Sequence, residues 1–106
     1  MYKQLIVIYD GILDEKLLDG FDYLIIPSIK LINTYKGEYN NEIYDFDYLI
    51  ISSKISKQIM SEDGFIITNN VFETSVDNYF AIGKCIRSTL SINEQLNIII
   101  ENLKGN

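Results

Sequence analysis

The chain has 106 residues, 47% of them apolar, which suits one compact domain able to fold without a disulfide or a metal ion. Acidic side chains number 15 against 9 basic ones, a formal net charge of -6 that repels phosphate backbones and anionic membranes, and no basic stripe accompanies the eight tyrosines. Histidine is absent and Cys85 is the single cysteine, which removes Ser–His and Cys–His nucleophiles, an internal disulfide, a Cys-x-x-Cys redox pair and an unaided zinc site.

At the N-terminus, MYKQLIVIYDG turns acidic at Asp10 without a small-residue cleavage site. No apolar run reaches the roughly 20 residues of a spanning helix, so a cytoplasmic protein is expected. The run QLIVIY from Gln4 to Tyr9, stopped by Asp10 and Gly11, reads as a buried strand that opens a parallel sheet. Ile12, Leu13, Leu17 and Leu18 are spaced for one face of a two-turn helix over Ile12 to Asp19, with Asp14 and Glu15 near its start. An internal echo follows: FDYLIIPS from Phe21 and FDYLIISS from Phe46 share FDYLII and a serine two positions later. Both copies are expected as strands buried on both faces, with Asp22 and Asp47 at solvated entrances. Two copies are too few for a solenoid. They read either as similar but independent strands or as a true duplication.

Between the copies, Gly37 and the Asn40–Asn41 pair predict a β-hairpin or meander. Ser53 to Asp63 reads as a polar connection with one helical turn around Ile55 and Ile59, and GFIIT from Gly64 to Thr68 as a further strand. The chain then crosses in NNVFETSVDN to a last strand, YFAIG from Tyr79 to Gly83. Ser91 and Glu94 form an S-x-x-E capping box ahead of Ile92, Leu96, Ile99 and Leu103, with Lys104 and Gly105 as the close of a long C-terminal helix. Pro27 is the sole proline, and no stretch has the composition of a linker.

The segment from Gly64 to Lys84, GFIITNNVFETSVDNYFAIGK, resembles the C-terminal FAD-contacting part of the thioredoxin-reductase-like pyridine nucleotide-disulphide oxidoreductases. The matching residues are Gly64, Ile66, Thr68, Thr74, Ser75, Val76, Phe80, Ala81 and Gly83, and the likeness extends from about Glu42 to Leu103. It implies a pared-down FAD/NAD(P)-binding fold and places the family's flavin contact at Gly83 and Lys84. The family carries an aspartate where Lys84 stands, and a cation cannot accept a hydrogen bond from the ribityl chain. Asp77 and Asn78 replace the Pro-Gly of the family's turn, a mild change because Asn tolerates the left-handed conformation. Ile92, Asn93, Glu94 and Gln95 put bulk where the family's helix begins with small residues. After the first strand, Gly11 stands alone among Asp10, Asp14 and Glu15 in place of a glycine-rich phosphate loop.

Several other groups carry two readings each. Cys85, between Lys84 and Arg87, is either a thiol activated by cations or a structural half-buried one. Glu42, Asp45 and Asp47 are either ligands for a hard cation or solvated strand-end carboxylates. Ser52, Ser53, Lys54, Ser56 and Lys57 form either a small-anion site at a strand's carboxyl end or a polar loop. Tyr35, Tyr39 and Tyr44 form either an interface patch or cross-strand packing.

The expectation is therefore a single α/β domain over residues 1–106, with a mostly parallel sheet, a β-meander and a long C-terminal helix. No catalytic residue, metal ligand or cofactor is expected, FAD being the one cofactor the resemblance leaves open. The resemblance implies a degenerate relative of an oxidoreductase, acting by self-association or with a flavoprotein partner. The alternative is a FAD- or nucleotide-binding redox protein completed by another subunit. A small structural domain with a chance likeness is the third reading.

Overall fold

The computed structural model describes residues 4–105; Met1–Lys3 and Asn106, the two ends of the expected domain, lie outside the described residues. Leu5, Ile6 and Val7 have no exposure at all, because their strand is paired along both edges and covered on both faces. This strand, β1 (Gln4–Ile8), lies between β2 (Asp22–Ile26) and β6 (Tyr48–Ile51), and β9 (Tyr79–Ala81) completes the order β2-β1-β6-β9. All three pairings are parallel. The two FDYLII copies flank β1 in one register: Leu5 faces Tyr23 on one side and Tyr48 on the other, and Val7 faces Ile25 and Ile50.

Both copies are strands, but only one is buried as expected. Leu49, Ile50 and Ile51 of β6 are fully buried, whereas Tyr23, Leu24 and Ile25 of β2 are half-buried because β2 ends the sheet. Asp22 and Asp47 are both exposed at strand entrances, and Asp47 Oδ2 accepts the Gln4 N–H at 2.9 Å.

Side chains alternate along a strand, so the register puts Ile6, Leu49 and Tyr79 on one face and Leu5, Val7, Ile50 and Phe80 on the other. The first face meets the antiparallel meander β3 (Lys30–Asn33), β4 (Lys36–Tyr39) and β5 (Glu42–Asp45), the element foreseen between the two copies. Tyr79 Oη donates to the Thr34 carbonyl at 2.9 Å, and the Phe46 and Tyr79 ring centroids are 6.2 Å apart. The β4–β5 turn is Asn40–Asn41 with φ of 56° and 66°, the left-handed pair of a two-residue hairpin.

α1 (Ile92–Lys104) buries Leu96, Ile99, Ile100 and Leu103. Its capping box forms as expected: Ser91 Oγ accepts the Glu94 N–H at 3.2 Å and Glu94 Oε1 accepts the Ser91 N–H at 3.0 Å. These bonds hold the Glu94 carboxyl below the ordinary carboxylate range. The radius of gyration, 12.8 Å, is that of a compact chain of this length.

Three further expectations are corrected. Ile12 to Asp19 is not a two-turn helix; only Glu15–Leu18 form a single 3-10 turn, with the Asp14 side chain accepting the Lys16 N–H. Leu13 and Leu18 are buried and Leu17 packs against the core from this short turn and the extended residues before it, while Ile12 is 94% exposed, so only part of the expected apolar face is used. The connection after β6 holds one hydrogen-bonded turn rather than a helical one, the Ile59 N–H donating to the Ser56 carbonyl at 3.3 Å, with Ile59 buried and Ile55 half-buried against the core. GFIIT is a strand only at β8 (Phe65–Ile66), which pairs with β7 (Ser61–Glu62) across Asp63–Gly64 at φ 52° and 83°. That Asp-Gly pair is the sequence signal for this hairpin. Arg87 clamps it, reaching Asp63 Oδ2 at 3.2 Å with its guanidinium 5.0 Å from the Phe65 ring centroid.

The two sheet edges are treated differently. Outside β9, Ala81 N–H donates to the Phe72 carbonyl and Thr74 N–H to the Tyr79 carbonyl, with an antiparallel bridge between Glu73 and Phe80. Phe72 adopts φ 64°, uncommon for a bulky residue, and its ring is 7% exposed. No described residue covers the outer edge of β2.

Removing the cap of α1 by Ser91→Ala lowers stability by about 1 kcal/mol, read as a fall in melting temperature of about 4–8 °C. Because the folded-state pKa of Glu94 is depressed, its contribution is present above the ordinary carboxylate range and is lost as pH falls through the folded pKa. The melting temperature of Glu94→Gln therefore changes less on acidification than that of the parent chain.

Candidate functional site

Chain connectivity makes one place in the sheet special. β1 leads outward to β2, whereas β6 and β9 extend the sheet on its other side, so the direction of winding reverses between β1 and β6. Open α/β sheets bind ligands in the crevice outside the carboxyl ends of such strands. A cleft of about 590 Å³ lies there, lined by Tyr9 and Asp10 after β1, Ser52 after β6, Gly83 and Lys84 after β9, and Ser91, Ile92 and Gln95 at the start of α1. This volume is within the range of small-molecule sites.

Local chemistry explains the walls. Ser52 Oγ donates to the Ile8 carbonyl at 2.8 Å and ties the ends of β1 and β6 together. Gly83 has φ 83°, and a Cβ there would come 3.3 Å from Ile92 Cδ1, so both backbone and space favour glycine. The Gly83 N–H donates to Gln95 Oε1 at 2.7 Å, and Gln95 Nε2 donates to the Leu90 carbonyl at 3.0 Å. Gln95 is only 2% exposed and fully engaged, a polar brace that fixes the segment after β9 against α1.

A flavin dinucleotide needs donors for its diphosphate and an acceptor for its ribityl hydroxyls. The Gly83 N–H is already held by Gln95, and Lys84, exposed on the rim, has no acceptor. The first turn of α1 is occupied by its own Glu94 carboxylate, which opposes a second anion. At Gly11 a Cβ would be 2.6 Å from Tyr9 Cε2, so the side a phosphate would need is filled by the protein's own ring. Asp10, Asp14 and Glu15 are exposed beside it. These residues do not fit a dinucleotide bound through the family's contacts.

The cleft unites groups singled out separately in the sequence: Gly83, Lys84, Ser52, Asp10, Ile92 and Gln95. It excludes others. Cys85 is not activated by its cationic neighbours: burial pushes its thiol pKa up, and Sγ lies 3.2 Å from the Ile82 carbonyl. Glu42 accepts the Tyr44 hydroxyl at 2.8 Å, Asp45 pairs with Lys36 at 3.6 Å and Asp47 holds Gln4, so these carboxylates point to separate partners. Among the described residues no group of three His, Cys, Asp or Glu side chains is placed to hold a metal ion. Of the Ser52 to Lys57 loop only Ser52 reaches the cleft; Lys54 Nζ donates to Ser61 Oγ at 3.1 Å. Tyr39 and Tyr44 pack on the core while Tyr35 is 54% exposed, so the three do not form one patch.

Sequence reasoning missed the bracing role of Gln95 and the filling role of Tyr9. The signal for Gln95 was a polar residue within the apolar stripe of Ile92, Leu96 and Ile99. Nothing local marks Tyr9, whose role depends on where Gly11 folds back.

Compared with known proteins, the sequence matches no family model and no curated protein. Among solved structures, the chain is similar to a ferredoxin-flavin thioredoxin reductase from Clostridium acetobutylicum, at 15% identity and a TM-score of 0.41, over 99% of this chain and 51% of that one. It is also similar to the thioredoxin reductase of Streptococcus pyogenes, at 16% identity and a TM-score of 0.42, over 98% and 52%. The chain spans about half the length of these structures. No described helix is long and apolar enough to cross a membrane.

Gln95→Ala strands a backbone donor and a backbone acceptor and costs about 2–3 kcal/mol in chemical denaturation. Gln95→Glu restores both bonds only when protonated, so its stability is highest at acidic pH and falls as pH rises through its folded-state pKa. Cys85 reacts with an alkylating reagent more slowly at neutral pH than a cysteine in an unfolded peptide, and its rate rises with pH beyond the ordinary thiol range.

Proposed function

We propose that this chain is an association domain of thioredoxin-reductase-like ancestry that runs no redox cycle of its own, and works as a homo-oligomer or as an accessory to a flavoprotein. The ancestry rests on the Gly64 to Lys84 segment. The observation that carries the loss of catalysis is at Gly83. Its N–H is bound by Gln95 within the chain, and the next residue is a lysine, so the stretch that most resembles a flavin contact is closed from within. Association is supported by the sheet edge left open at β2.

One observation favours a second reading, a flavin or nucleotide site completed by another subunit: the cleft at the ends of β1, β6 and β9 keeps a volume of about 590 Å³. There Lys84 would pair with a phosphate in a rearranged pose.

Under the first reading, freshly purified protein is colourless, releases no FAD on denaturation, and leaves the fluorescence of added FAD unchanged. Lys84→Asp then shifts stability by no more than about 0.5 kcal/mol. A yellow protein releasing FAD, with an affinity altered by Lys84→Asp, sinks the first reading and establishes the second.

A further inference from the structure

We infer that the open edge of β2 is where two copies of this chain pair, antiparallel and about a two-fold axis at Leu24; this rests on the association reading and names its partner. The Ile26 carbonyl accepts the Tyr9 N–H at 3.0 Å, so Ile26 faces β1. Backbone groups alternate in direction along a strand, so Asp22 and Leu24 also face β1, while Tyr23 and Ile25 turn N–H and C=O outward. No described residue bonds these four groups. The unpaired run is bounded at both ends: the Phe21 N–H is used by the Leu18 carbonyl at 3.1 Å, and Pro27 has no N–H.

Four free groups placed symmetrically about Leu24 are complementary to themselves. An antiparallel second copy sets Tyr23 opposite Ile25 of its mate twice over, each pair exchanging two hydrogen bonds, and leaves none of the four unmet. On one face Tyr23 packs beside the second copy's Ile25, an aromatic with a β-branched side chain; on the other Leu24 meets Leu24. All three side chains are half-buried in the single chain and gain burial from the pairing. Charge selects the same orientation. Antiparallel pairing sets Asp22 against Ile26 and brings the end with Asp19 and Asp22 toward the end leading to Lys30, whereas parallel pairing in register would set Asp22 against Asp22. The matching run in β6 is already paired along both edges, so this sequence accepts a strand on either side. Two four-stranded sheets then become one.

Sedimentation velocity across a concentration series tests the pairing. The parent chain is expected as a dimer. Leu24→Lys and Leu24→Glu, which place like charges face to face on the axis, each raise the dimer dissociation constant by about 100-fold, and mixing the two variants restores the dimer. A monomeric parent chain, a dimer unaffected by either substitution, or a mixture that stays monomeric overturns the proposal. Hydrogen exchange on the parent chain gives an answer even where circular dichroism shows a variant misfolded. The Tyr23 and Ile25 amides are expected to be protected at high concentration and exposed on dilution, while Leu24 and Ile26 stay protected; exchange independent of concentration overturns the pairing. The outcome separates from that of the flavin test. A colourless monomer ends this pairing and leaves the accessory role standing, and a yellow dimer ends the reading of a chain without a redox cycle while leaving the pairing intact.

Discussion

β1 is held from both sides by the same sequence, and the rest of the molecule is arranged around that. Tyr-Leu-Ile lies along each edge of Leu5, Ile6 and Val7 in one register, so each of these three apolar side chains of β1 meets an apolar neighbour to left and right. A strand so enclosed has no exposed edge and needs cover on both faces. The meander supplies one cover and α1 the apolar surface for the other. Both covers are consequences of the central pairing, since without it neither has a surface to bury against.

The way the chain returns to the sheet decides what the site can do. Residues 9–21 carry β1 into a parallel β2, near the minimum of about a dozen for such a crossover. They include only one turn of 3-10 helix. A full helix at this point would present a row of free N–H groups at the carboxyl end of β1, the usual seat of a phosphate. Here the same place offers Asp10, Asp14 and a tyrosine ring over Gly11. The other helix start near the cleft is satisfied by Ser91 and Glu94 of its own chain.

Donors that would serve a ligand therefore serve the fold. Gln95 shows this in one side chain: its carboxamide bonds the Gly83 N–H and the Leu90 carbonyl and keeps the segment after β9 in place. The segment that turns back along β9 closes that edge of the sheet and accepts a left-handed Phe72 in doing so. No comparable segment closes β2. An edge of alternating free groups between Phe21 and Pro27 is a template for one more strand, and it is the edge of the parallel sheet that no described segment pairs with.

Much of this was legible in the sequence because it depends on neighbours close in the chain. The apolar runs at Gln4, Phe21 and Phe46 specify strands, Asn40–Asn41 specify a turn, and Ser91 with Glu94 specify a helix start, each through bonds within a few residues. The resemblance around Gly64 to Lys84 located Gly83 and Lys84, and both line the cleft. Ile12 to Asp19 misled because Leu13, Leu17 and Leu18 reach the core from one 3-10 turn and its extended lead-in, so apolar spacing alone did not require a longer helix. Tertiary structure alone decided which FDYLII copy became central and which became an edge, that Tyr9 fills the space over Gly11, and that burial pushes the Cys85 thiol pKa up despite Lys84 and Arg87 nearby in the chain. Identical sequences have identical propensities, so β2 and β6 differ only in what the distant chain places beside them.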